Sequence, residues 1–98
     1  MTSNHKLTTV LQGRTITSTL NADGTLTLGF DDGSIMTVQT APDNANQAAT
    51  GGKVAKAQQS GTDLGLVLED GTTYAIKMAE ETSSVMVRDK NHTMEYAD

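Results

Sequence analysis

The chain has no cysteine and no tryptophan, and among its 98 residues it has a single proline. Without thiols, disulfide staples, thiolate nucleophiles and cysteine-ligated metals are excluded. Three aromatic residues, Phe30, Tyr74 and Tyr96, are poor material for stacking bases or sugars. No apolar run approaches the length of a membrane-spanning helix. The stretch MTSNHKLTTVLQGR lacks the apolar segment of a secretory signal, so the expected address is the reducing cytoplasm. In that setting the glycosylation triplet at Asn91 carries no information.

Positive charge is scarce as well. Seven Lys and Arg stand against twelve Asp and Glu, a formal charge of −5. Lys6, Arg14, Lys53, Lys56, Lys77, Arg88 and Lys90 are scattered rather than clustered. Repulsion from phosphate therefore argues against nucleic acid or an anionic membrane as partner.

The sequence patterns of catalysis are missing too. There is no G-x-S-x-G and no H-E-x-x-H. His5 and His92 lie near opposite ends in polar surroundings and read as solvated side chains, not zinc ligands. ATGGKVA (49–55) glances at a phosphate loop, but Gln47 stands where its first glycine belongs and Val54 replaces the magnesium-binding hydroxyl. No catalytic, cofactor-binding or metal-ligating residue is assigned, and the reading leans away from an enzyme. Among the acids, Glu95 between Met94 and Tyr96 is the first to check for burial, its ordinary place being the exposed face of an edge strand.

What the chain does have is alternation. RTITSTL (14–20), TLTLGF (25–30) and SIMTVQT (34–40) read as three consecutive strands. LGLVLE (64–69) and TTYAIKM (72–78) read as two more, and SSVMVRD (83–89) with TMEYA (93–97) as a final hairpin. Met36, Met78, Met86 and Met94 alternate with polar residues, the ordinary use of methionine as adaptable filling. Leu7, Val10 and Leu11 fall at helical spacing, with Ser3 or Asn4 as N-cap and Gly13 at C′, which predicts a short N-terminal helix.

A shift of 38 residues aligns much of the chain with itself. It brings Gly33 onto Gly71, Asp32 onto Asp70, Leu26 onto Leu64, Leu28 onto Leu66 and Phe30 onto Leu68. Ile16 meets Val54, Val38 meets Ile76, and Gly13 meets Gly51. Either a three-stranded meander is used twice, or two hairpins with Asp-Gly corners merely look alike. The strand at 53–59 is the weakest element, because the repeat points Lys56 and Gln58 inward.

Register decides what the Asp-Gly corners are for. With Asp31-Asp32-Gly33 as a three-residue loop, Leu28 faces Met36 and Leu26 faces Val38. With Glu69-Asp70-Gly71 as the loop, Leu66 faces Tyr74, Leu64 faces Ile76 and Asp63 faces Lys77. A two-residue loop would set apolar against polar in both places. By analogy, Ala22-Asp23-Gly24 is expected to be a three-residue loop that sets Leu20 against Leu26 and Ile16 against Phe30. Neither NADG nor FDDG has the alternate acids of a calcium loop. The corners read as structure.

The stretch from LEDG through SSVMVRD to EYAD, about the last third of the chain, resembles small proteobacterial proteins without an assigned activity. That resemblance implies a compact cytosolic domain and supplies no functional residues.

The expected fold is one domain over 1–98: a meander at 14–40, a loop at 41–52, a meander at 53–78 and a hairpin at 83–97. It is mainly β, closing as a small barrel or packing as a sandwich, the alternative being α+β with a helix around 44–59. The expected role is non-catalytic: a module that binds a protein partner, or a second copy of itself, through an edge strand. The rival readings are a small-molecule pocket or enzyme site between the meanders near Tyr74 and Tyr96, and a self-associating structural protein.

Overall fold

The computed structural model describes residues 2–42 and 50–97. Its elements run β1 (Thr2–Ser3), α1 (His5–Leu11), β2 (Ile16–Ala22), β3 (Thr25–Phe30), β4 (Ile35–Gln39), β5 (Val54–Ser60), β6 (Asp63–Leu68), β7 (Thr73–Lys77), β8 (Val85–Arg88) and β9 (Met94–Ala97). They make two antiparallel sheets, ordered β2-β3-β4-β8-β9 and β1-β5-β6-β7. Among the described residues the fold is mainly β, with one short helix and no closed barrel. Alternate residues of both meanders supply a single core, in which Leu26, Leu28, Val38, Leu64, Leu66 and Ile76 are all buried. Each such side chain contributes about 1.5–3 kcal/mol by leaving water.

The two main corners have the expected register. Leu28 lies opposite Met36 and Leu26 opposite Val38, while Leu66 meets Tyr74 and Leu64 meets Ile76. Gly33 and Gly71 both sit at positive φ, 87° and 92°, which a residue bearing a Cβ adopts only with strain.

The first corner differs from expectation. Ala22 pairs with Thr25, so the loop is only Asp23-Gly24, and both residues have positive φ as a type I′ turn requires. Leu20 consequently lies opposite Thr27 rather than Leu26 and turns to solvent, 64% exposed. A bulge between Ile16 and Ser18 then restores the Ile16–Phe30 pair. The same device resolves the doubtful strand at 53–59. A bulge between Val54 and Lys56 turns Ala57 inward and leaves Lys56 exposed. The helix of the α+β alternative therefore gives way to β5 over Val54–Ser60, and residues 44–49 of that span lie outside the described residues.

The repeat extends to the backbone hydrogen bonds. The bulges fall at equivalent positions, and so do the bonds that join the two meanders to each other. Ile16 N donates to Gly52 O and Val54 N to Arg14 O; Gly13 N donates to Val54 O and Gly51 N to Ile16 O. At the far end Ala41 N donates to Lys77 O and Ala79 N to Gln39 O. Each bond is the other with the copies exchanged, and the bridges Thr15–Lys53 and Thr40–Met78 join residues to their own counterparts. Only an approximate two-fold axis between the meanders gives this reciprocity.

The termini break the symmetry. Asn4 caps α1 by accepting from Leu7 N, and Gly13 ends it at φ 87°. Leu7 and Leu11 enter the core, while the Thr8 hydroxyl accepts from Ala57 N at 2.9 Å and donates to Ala57 O. A poor helix former is thus placed where its hydroxyl satisfies the edge of β5. At the other end, β8 pairs along β4 and adds Val85 and Val87 to the core.

Candidate protein-docking edge

The acids at the corners are engaged locally. Asp32 Oδ1 accepts from the Ser34 amide at 2.9 Å and from its hydroxyl, and Oδ2 lies 3.1 Å from Arg14 Nε. Asp70 Oδ1 accepts from Thr72 N at 2.8 Å, and Asp89 Oδ1 accepts from both Asn91 N and Thr93 N. Burial raises the Asp32 pKa, but the Ser34 hydrogen bonds and the Arg14 charge outweigh it and hold the carboxyl below its ordinary value. The Thr72 amide lowers that of Asp70. Among the described residues no three His, Asp or Glu side chains converge as a metal site would need.

Glu95 is on the exposed face of β9, where both its oxygens meet the Arg14 guanidinium at 3.0 and 2.9 Å. That hydrogen bonding raises the Arg14 pKa against the opposing effect of burial, with Asp32 adding to it. His5 and His92 are both exposed, and His92 occupies the hairpin tip at φ 65°. Tyr74 is a core residue, 4% exposed, whose pKa burial raises. Tyr96 accepts from Asn4 Nδ2 at 2.9 Å and lines a surface cleft of about 470 Å³ with Lys6, Val10 and Glu95. The two tyrosines belong to different sheets and do not share that cleft.

The sheet edges are more distinctive than any cleft. β9 ends the five-stranded sheet on one side, but α1 leans over it and Arg14 ties it down. β7 ends the other sheet, carrying Lys77 in an ion pair with Asp63 at 3.3 Å, a charge of the kind that discourages edge pairing. β2 carries no charge, and at its start Ile16 is bonded to Gly51 and Gly52 of the second meander. Its seven residues, ITSTLNA, include no Lys, Arg, Asp, Glu or Pro, and Leu20 stands out from it.

Which backbone groups of β2 face outward follows from its turn. Ala22 and Thr25 flank a two-residue loop and bond each other, so the groups of Leu20 also face β3 and those of Thr19 and Asn21 face away. The second copy displays the same alternation in use. Ala57, the counterpart of Thr19, receives Asn4 N on its carbonyl, and Gln59, the counterpart of Asn21, pairs with Thr2. The edge that takes up β1 in the second copy has, in the first, no further strand paired along it among the described residues.

Sequence reasoning missed this edge because it turned Leu20 inward. The signal was present in the Asp23-Gly24 dipeptide, the strongest short marker of a two-residue hairpin loop. No protein-family model, curated protein or solved structure matches the chain.

Proposed function

We propose that the chain is a non-catalytic β module that binds a protein partner by taking an extended segment onto the outer edge of β2. One observation carries the reading: the equivalent edge of β5 is occupied, within the same molecule, by residues 2–4 in antiparallel pairing. The unit therefore has an edge built to receive a strand, and the first copy presents that edge uncharged with an exposed leucine beside it. Strand addition of this kind draws affinity from main-chain bonds and selectivity from alternate side chains.

Thr19→Pro tests it. Proline deletes the outward N–H without touching the β2–β3 ladder, a position where edge strands accept it. Partners recovered from lysate on the wild-type protein are expected to be lost on the variant, with unchanged circular dichroism. Recovery of the same partners by both proteins would rule out the β2 edge as the docking site.

A further inference from the structure

We infer that the C-terminal hairpin exchanges between molecules, so that β8 and β9 of one copy dock on β4 of a second, and the converse, in a two-fold dimer. The hairpin is the strap best placed to leave. It comes off the second meander but lies on the first, and of its side chains only Val85 and Val87 are buried in the core. The other strap, α1, buries Leu7 and Leu11 and runs into β2 through Gly13 and Arg14, both bonded to Val54. Outside itself the hairpin pairs with β4, its Glu95 meets Arg14 and its Tyr96 accepts from Asn4. A second copy offers all three in identical form, so exchange preserves them.

The connector decides which copy is taken. Gln39 holds both its ends: Ala79 N donates to Gln39 O, and Gln39 N donates to Ser84 O. Residues 80–84 therefore double back onto a single residue. They do so with Ser83 at φ 63°, a left-handed conformation that a side chain disfavours. The Ser84 hydroxyl closes the turn, accepting from Glu80 N at 3.1 Å and donating to Glu80 O at 2.8 Å. Extended, residues 80–84 reach about 17 Å. That length lets the hairpin pass to a neighbouring copy while Ser83 returns to negative φ. Exchange loses the Ser84 clasp and the bond from Gln59 Nε2 to Glu81 O, and it relieves Ser83. A short hinge under strain is the condition that invites identical segments to swap. The dimer uses only edges already paired within the chain, so it stands apart from docking at β2.

Charge reversal reads the exchange directly. Arg14→Glu and Glu95→Arg each set like charges across the Arg14–Glu95 contact, in a closed monomer and in an exchanged homodimer alike. In an exchanged heterodimer of the two variants both contacts join opposite charges again, while Asp32 keeps its place beside residue 14 of its own chain. Refolding the variants together is expected to give a species of twice the monomer mass in sedimentation velocity. It should be at least about fivefold more abundant than in either variant refolded alone, and melt above both. Side-by-side association of closed monomers leaves both clashes in place. A mixture that behaves as the sum of its parts therefore overturns the inference. The connector supplies a second reading, in the exposed turn, that holds even where the charge variants fail to fold. Ser83→Gly takes φ 63° without strain and is expected to lower the dimer fraction of refolded protein at least about threefold. Ser83→Pro cannot adopt that φ and is expected to raise it. A dimer fraction that neither substitution moves, or no dimer in any of these proteins, defeats the inference.

Discussion

The two meanders, Ile16–Gln39 and Val54–Lys77, share their bulges, their glycine corners and their inward residues, yet they are covered differently. The N-terminal segment leads into the first meander but packs on β5 of the second. The C-terminal hairpin leaves the second meander but pairs with β4 of the first. Each terminal segment thus straps the copy to which it is not directly joined. A meander of three strands buries too little to stand alone, and crossed strapping converts two marginal units into one core. The difference between the copies lies at their edges, while their interiors are matched.

The matched interiors give the largest predicted effect. Leu28 and Leu66 are counterparts, both fully buried, and truncation to alanine is expected to cost about 2–5 kcal/mol at either position. Urea denaturation followed by circular dichroism should show one transition in both variants, each shifted by a similar amount. Separate transitions, or a shift in only one variant, would show that the copies unfold as independent units and that the straps do not couple them.

Much of this was legible in the sequence. Alternation located nearly every strand, and the apolar sets on either side of Asp32-Gly33 and Asp70-Gly71 fixed two registers, because a slip of one residue would have exposed leucines. The capping residue and C′ glycine of α1 were equally readable, since they satisfy local backbone groups. Bulges were not. Nothing in TITST or VAKAQ announces the extra residue, which is set by turn length at one end of a hairpin and core demand at the other. Hence Lys56 and Gln58 looked misplaced and Leu20 looked buried. That β1 lies along β5 was hidden for a related reason: where the terminal straps land is a long-range outcome that no local pattern encodes.

A smaller effect separates the corners. Gly33 and Gly71 have nearly the same φ, so alanine at either position bears the same left-handed strain, about 1–2 kcal/mol. Their surroundings differ. A Cβ on Gly33 would approach Lys90 Cβ at 2.9 Å, whereas one on Gly71 has nothing within 4 Å. Gly33→Ala is therefore expected to melt lower than Gly71→Ala, the excess measuring how firmly the C-terminal hairpin rests on the first corner. Equal melting temperatures would mean that the hairpin tip yields freely and is not a fixed strap.

The smallest effect concerns protons. Asp32 and Asp70 are counterparts with carboxyls held below the ordinary value, so each contributes stability that is complete above the unfolded pKa of about 3.9. That stability is lost as pH falls through the lower folded value, because the unfolded chain takes up the proton first. Replacement by asparagine removes the dependence while keeping an oxygen to accept from the turn amide. The acid limb of melting temperature against pH is expected to flatten more in Asp32→Asn than in Asp70→Asn. Asp32 faces the half-sheltered Arg14 guanidinium, whereas the fully exposed Asp70 has Gly52 at the equivalent position and water to screen it. In an Arg14→Ala background the two acid limbs should converge. If they remain apart, the asymmetry comes from a difference between the Ser34 and Thr72 hydrogen bonds rather than from the guanidinium that binds Glu95, and the first corner is then tuned locally instead of through the strap.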